Sequence, residues 1–384
     1  MLCDTGHNPD SDVQEAVKEM LGKPSYPVQL IQPDGRRVLD REHAAVVADV
    51  GPDRLRDLYE DLVVTRRIDT EATALQRQGQ LGLWAPLLGQ EAAQVGSARA
   101  LRPDDYVFCS YRESAVAYCR GVDPARLTRM WRGVAHSCWD PDAVNMTNPA
   151  IVVGAQGLHA TGYAYAAHLE GADIATIAYF GDGATSQGDI AEALGFAASW
   201  SAPVVFFCQN NHWAISEPVR LQSATPIAQR ALGYGIPSVQ VDGNDVLAVL
   251  AVTRQALARA HAGGGPSFIE AITYRMGPHT TADDPTRYRS DAETEEWKRR
   301  DPIDRVHRLL DRENLLDEQF EQRVRDKADE IATVVRTATI DMPDPDPMEL
   351  FDHVYSTEHP LIAEQRRAYA QHLAAHAPTE GVPS

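Results

Sequence analysis

YFGDGATSQGDIAEALGFAASWSAPVVFFCQNN (Tyr179–Asn211) reads as the middle of a strand–turn–helix–strand unit. The run DIATIAYF (173–180) is apolar and ends at Gly181, as a buried strand does. DIAEALGFAASW (189–200) has the composition of a helix, and PVVFFC (203–208) is a second apolar strand. The crossover of such a unit is right-handed, and ligands of such sheets lie at the carboxyl ends of the strands. Both carboxyl ends here carry oxygen ligands, Asp182 on the first and Asn210 and Asn211 on the second. A carboxylate and an amide oxygen suit a divalent ion of the Mg²⁺ type that holds a diphosphate, with phosphate and water completing its shell. Gly181 and Gly183 allow close backbone approach to phosphate, and the amides that follow face an anion favourably. A Gly-Asp-Gly turn alone is a weak signal. Followed by Asn-Asn at the next strand end, after the intervening residues 184–209, it is a strong one.

Outward from this unit the same alternation continues. A helix is expected over Pro52–Gln78, with Leu55, Leu58, Leu62, Ile68 and Leu75 on one face. A second begins near Gln90, and YVFCSYRES (106–114) is a short strand that ends in Tyr111-Arg112-Glu113. SVQVDGND (238–245), Val246–His261 and PSFIEAITY (266–274) read as strand, helix and strand. Alternating strands and helices predict an α/β fold, a parallel sheet with helices on both faces. Met276–Asp291 has little apolar content and is expected to be an exposed loop. Residues 1–45 read as a partly disordered N-terminal extension carrying a short hairpin around Pro33-Asp34-Gly35, and 46–340 as the α/β domain. Residues 341–384 read as an acidic, Pro-rich linker and a final helix, a helical C-terminal tail.

Composition excludes several classes of function. The net charge of −19 over 384 residues, with no Lys/Arg cluster, argues against nucleic acid or an anionic membrane as partner. No apolar run approaches the ~20 residues that span a bilayer. The polar, acidic start is unlike a signal peptide and points to the cytoplasm. Five scattered cysteines without a CxxC pair form neither a disulfide framework nor a zinc site.

Taken together, GQEAAQVG, YRES, IVVGAQ, the paired GDG and NN, GYGI with VDGND, and TYRMGPHTTADDPTRYR resemble one family over roughly residues 50–375. The chain is similar to the alpha subunit of the thiamine diphosphate-dependent decarboxylating component of 2-oxo acid dehydrogenase complexes. The resemblance implies the diphosphate-binding half of a thiamine diphosphate-binding fold. It implies Mg²⁺ on Asp182, Asn211 and the carbonyl of Trp213, with Gly183, Ala184, Tyr111 and Arg112 on the diphosphate. Ile151 and Val153 match backbone contacts to the aminopyrimidine, and His279 matches a loop histidine that acts in acyl transfer to lipoamide. The Glu that activates the aminopyrimidine is expected from a beta subunit in an α2β2 heterotetramer, and the acyl acceptor is the lipoyl group of a partner acyltransferase.

Three details lean toward a branched-chain 2-oxo acid of the 3-methyl-2-oxobutanoate type. Ala85 stands where pyruvate-type relatives carry His, Glu113-Ser114 replaces Asp-His, and Ala214-Ile215-Ser216 is similar to the branched-chain run. Leu83, Trp84 and Val153 are candidates to line an apolar substrate pocket. Gln209 replaces an Arg that lies near the diphosphate in branched-chain relatives, and Ala150, Val152 and Ala155 replace the polar side chains of a potassium site, which is therefore not expected. The competing readings are a pyruvate or acetoin dehydrogenase alpha subunit and, in another class, a catalytically silent scaffold subunit.

Overall fold

The computed structural model describes residues 27–135 and 137–376; residues 1–26 of the expected extension, Cys3 among them, lie outside that range. At the centre is a five-stranded parallel sheet of order β1-β2-β3-β7-β6. Its strands are β1 (Tyr106–Phe108), β2 (Thr176–Gly181), β3 (Val204–Asn210), β6 (Ser238–Asp242) and β7 (Ser267–Ile272). A small antiparallel ribbon, β4 (Trp213–Ala214) with β5 (Glu217–Pro218), follows β3.

Side chains alternate across the sheet, so the apolar runs supply two cores at once. Ile177, Tyr179, Val205, Phe207 and Ile269 face one side. There they meet α1 (Pro52–Arg77), α2 (Glu91–Ala98), α5 (Val246–His261), α6 (Pro302–Arg312) and α7 (Glu318–Ile340). Ala178, Phe180, Phe206, Cys208 and Phe268 face the other, against α3 (Ala155–Glu170) and α4 (Gly188–Trp200). Each large side chain removed from water in these layers contributes about 1.5–3 kcal/mol.

Helix α1 starts where the sequence places it. Gly51 is the cap, Pro52 the first helical residue and Asp53 sits in the first turn, which complements the helix dipole. It stops just before Gly79, whose φ of +75° only glycine adopts readily. Helix α2 lies at backbone distance from α5, because a Cβ on Gly96 would stand 2.8 Å from the Val246 carbonyl oxygen.

Residues 28–37, part of the extension expected over 1–45, pack into the fold. Val28 bridges to Val241 beside β6, Ile31 pairs with Arg37 in the foreseen hairpin, and Leu30 and Ile31 are buried. The amides of Leu30 and Ile31 donate to one Asp245 carboxylate oxygen at 2.7 and 2.5 Å. The other oxygen caps α5 through the amides of Leu247 and Ala248, and burial pushes this carboxyl up to about 6. Asp245→Ala is expected to lower stability by at least about 3 kcal/mol, since four buried amides lose their acceptor. Thermal unfolding measures the loss, and hydrogen exchange of residues 28–31 locates it.

The expected exposed loop over 276–291 is instead half-buried. Arg289 donates to the carbonyls of Arg275, Met276 and Gly277, and Thr281 is buried. Low apolar content misleads here because arginines and backbone carbonyls supply the packing. Short helices at Arg41–Val46 and Asp291–Lys298, among others, lie outside those expected from the sequence. The C-terminal helix α8 (Pro360–Ala375) is present as expected, and none of its residues is buried. No helix among the described residues is long and apolar enough to cross a membrane.

Candidate active site

The carboxyl ends of β1, β2, β3 and β7 surround a cleft of about 470 Å³. β2 delivers Asp182 at the start of a 3-10 turn, Asp182–Ser186. Its carboxylate is buried, accepting from the Asn211 amide at 3.3 Å and from Gln222 Nε2 at 3.1 Å. Burial pushes this carboxyl up to about 6, and the hydrogen bond from Gln222 opposes the shift only in part. Asn211 leaves β3 with its Nδ2 donating to Gln90 Oε1 at 3.2 Å, while its Oδ1 accepts from the Trp213 amide at 3.2 Å. Asp182, Asn211 and Trp213 therefore belong to one connected cluster.

This cluster fits a hard divalent ion. Among the described residues Asp182 forms no ion pair with a cationic side chain, although a buried carboxylate ordinarily requires a countercharge. No group of three or more His, Cys, Asp or Glu gathers among the described residues; the oxygens this cluster offers are one carboxylate, one amide and a carbonyl. Such a set suits an ion whose remaining ligands come from phosphate and water. The Trp213 carbonyl already accepts from Arg275 Nη1 at 3.0 Å, which uses one of its two lone pairs. Gly183 completes a tight cradle, because a Cβ there would stand 2.7 Å from Ala214 Cβ. Gln90 Nε2 is buried without a partner at the same end of the cleft.

The strand end after β1 supplies Tyr111 and Arg112. The guanidinium of Arg112 lies over the Tyr111 ring at 5.4 Å and donates to the carbonyls of Pro86 and His279 at 2.6 and 2.9 Å. His279 stands edge-on to Tyr111 at 6.0 Å. Its Nδ1 lies 3.3 Å from Arg112 Nη2 and 3.3 Å from Arg275 Nη1. Burial, then these two cations, pull the imidazole down to about 3. Two facing donors make Nδ1 the acceptor and leave the proton on Nε2.

The loop that carries His279 is braced from below. The His279 amide donates to Asp283 at 2.7 Å, Tyr288 donates to the same carboxylate at 2.5 Å, and Arg275 donates to Tyr288 at 2.8 Å. Arg275 is fully buried, and burial with Arg112 nearby lowers its pKa to about 10.

Ile151, Val153, Ala184 and Leu83 also line the cleft. Trp84 does not. Its indole Nε1 donates to Asp69 at 2.8 Å and its ring is buried beneath the cleft floor, whereas Ala85 and Trp131 take the wall position expected of it. In an extended segment neighbouring side chains point to opposite sides, so Leu83 and Ala85 face the cleft and Trp84 faces inward. Gln209 donates to Glu113 at 2.6 Å, and Glu113 also accepts from the amide and hydroxyl of Ser110 at 2.7 Å each.

Sequence reasoning missed Gln90, Gln222 and Arg275. The isolated Arg275 just past an apolar strand was a usable signal. Ile215, read from the sequence only as part of a branched-chain run, lines the cleft with a φ of +56°, costly for a β-branched residue and held by an Arg275 bond to its carbonyl at 2.7 Å.

Comparison with known proteins identifies the family. Residues 59–344 match the family described as dehydrogenase E1 component. The 3-methyl-2-oxobutanoate dehydrogenase subunit alpha of Mycobacterium tuberculosis is 47% identical over 349 residues, 91% of this chain and 94% of that one. The pyruvate dehydrogenase E1 component subunit alpha of Staphylococcus aureus is 42% identical over 298 residues, 76% of this chain and 80% of that one. With most of its length matched and the strand-end cluster in place, the chain belongs to the dehydrogenase E1 component family, the thiamine diphosphate-dependent 2-oxo acid dehydrogenases.

Proposed function

We propose that this chain is the alpha subunit of a branched-chain 2-oxo acid dehydrogenase, a cytoplasmic α2β2 assembly that decarboxylates 3-methyl-2-oxobutanoate and passes the acyl group to a lipoyl-bearing acyltransferase. The observation that carries the reading is the single cleft in which Asp182, Asn211, Tyr111, Arg112 and His279 meet. The similarity to a 3-methyl-2-oxobutanoate dehydrogenase subunit over nearly the whole chain supports the substrate.

Asp182, Asn211 and the Trp213 carbonyl would hold Mg²⁺. Gly183 and Ala184 amides and the Tyr111-Arg112 pair would hold the diphosphate, and backbone groups of Ile151 and Val153 the aminopyrimidine. Bound thiamine diphosphate supplies the electron sink that decarboxylation needs. Arg112 would place a positive charge and its remaining donors beside the phosphate, its two Nη atoms being already anchored to the Pro86 and His279 carbonyls. His279, kept neutral with its proton on Nε2, presents a donor toward the cleft without adding a third positive charge.

A second chain is expected over the cleft mouth. Ile151, Val152 and Ile215 are 61, 70 and 56% exposed beside it, apolar surface that a beta subunit would cover. The test is co-expression with a beta-type subunit, followed by CO₂ release from 3-methyl-2-oxobutanoate and from pyruvate. A kcat/KM at least about tenfold higher for the branched acid is expected, from the worth of one or two methylenes in an apolar pocket. The opposite ratio would reassign the chain to pyruvate, which the similarity to pyruvate dehydrogenase subunits favours as the second reading. An assembly that retains thiamine diphosphate yet releases CO₂ from neither acid would sink both.

A further inference from the structure

We infer that Trp131 sets the upper size limit for the acyl side chain of the substrate; the inference rests on the 2-oxo acid reading above. The cleft lining is chemically uneven. Asp182, Gly183 and Asn211 belong to its polar part, and Leu83, Ala85 and Trp131 form an apolar part of the wall. Its position next to His279 follows from the backbone. Thr281 donates its amide to the Trp84 carbonyl at 2.9 Å, and its hydroxyl accepts from the Trp84 amide at 3.0 Å, which ties segment 83–85 to the His279 loop.

Within that wall Ala85 is small, and Trp131 is the largest side chain. Trp131 is also a partition. Behind it lies a second, much smaller space of about 20 Å³, bounded among others by Trp84, Leu127, Trp139 and Met146. Trimming the indole would join the two spaces along the apolar part of the wall, the part suited to an apolar acyl chain.

The partition is rigidly backed. Trp131 meets Trp84 edge-on at 5.6 Å and 68°, and Trp84 is anchored to Asp69. The Trp131 carbonyl accepts from the Gly82 amide at 2.9 Å. The helical turn Arg129–Arg132 that carries it closes at Gly133, whose φ is +81°. Because neither backbone nor neighbour can retreat, an oversized acyl group meets a fixed wall rather than a yielding one.

The experiment compares wild type, Trp131→Phe and Trp131→Ala, each co-purified with its beta subunit. It measures kcat and KM for 2-oxo acids of rising side-chain size, from pyruvate through 3-methyl-2-oxobutanoate to phenylpyruvate. Trp131→Ala is expected to shift the phenylpyruvate to 3-methyl-2-oxobutanoate ratio of kcat/KM by at least about tenfold toward the larger acid, with Trp131→Phe between. Thiamine diphosphate affinity, followed by fluorescence quenching, should stay within about twofold. A uniform fall for all acids, or unchanged ratios in either soluble variant, would overturn the role of Trp131 while leaving the activity in place. Should Trp131→Ala not assemble, the Phe variant alone decides through the same ratio. A wild-type assembly inactive on every acid would instead overturn the underlying function.

Discussion

Asp182→Ala is expected to abolish Mg²⁺-dependent retention of thiamine diphosphate and, with it, CO₂ release. The single carboxylate of the cluster is lost, and an amide and a carbonyl alone cannot neutralise a divalent ion next to a diphosphate. Calorimetric titration of the diphosphate with and without Mg²⁺ measures this; undiminished affinity would discard the metal assignment. A pH signature accompanies it. In the absence of a cation the Asp182 carboxyl is held at about 6, above its ordinary 3.8, because burial disfavours the charge. A raised carboxyl pKa makes a contribution that is fully present below pH 3.8 and disappears as pH rises through 6. That contribution is about 3 kcal/mol. A bound cation reverses the preference, since it favours the ionised form. The stabilisation conferred by Mg²⁺ and thiamine diphosphate should therefore grow from pH 5 to pH 7. Asp182→Asn should remove most of that growth, which thermal unfolding across the interval can follow.

His279→Ala is expected to slow acyl transfer to a lipoyl domain by about 10²-fold or more, the ordinary worth of a placed proton donor. CO₂ release coupled to an artificial electron acceptor should fall much less. Equal loss in both assays would move His279 from acyl transfer to cofactor retention. The electrostatics add a second check. With the imidazole held near 3 by burial and by Arg112 and Arg275, it stays neutral across the working range. The acid limb of the pH profile then belongs to another group, and His279→Asn should leave that limb where it was.

Much of the site was legible because strand ends are places where side-chain chemistry and position coincide. Asp182 and Asn211 each follow an apolar run, so their types and spacing carried both the fold and a chemical expectation, whereas the role of Tyr111-Arg112 came from the family resemblance. What failed depended on partners far away in sequence. Trp84 was taken for a pocket residue because apolar bulk was visible, but the Asp69 carboxylate that turns it inward was not. Polar segment 276–291 was read as exposed because Arg275 and Arg289 bury by binding carbonyls, which no hydropathy pattern registers. Residues 27–39 were assigned to an extension because their acceptor, Asp245, lies beyond the whole central unit.

That last tie also has a consequence in time. Leu30 and Asp245 are separated by 215 positions, so the ribosome releases the donor long before the acceptor exists. At ~5–20 residues per second the delay is roughly 10–45 s. Throughout it the buried pair Leu30 and Ile31 has nowhere to dock and is open to chaperones and to neighbouring nascent chains. Translation that stops short of residue 245 would leave a greasy, unanchored leading end. Closure of this edge is thus a late event in the life of each molecule, and premature termination products should be cleared or aggregate rather than accumulate as folded fragments.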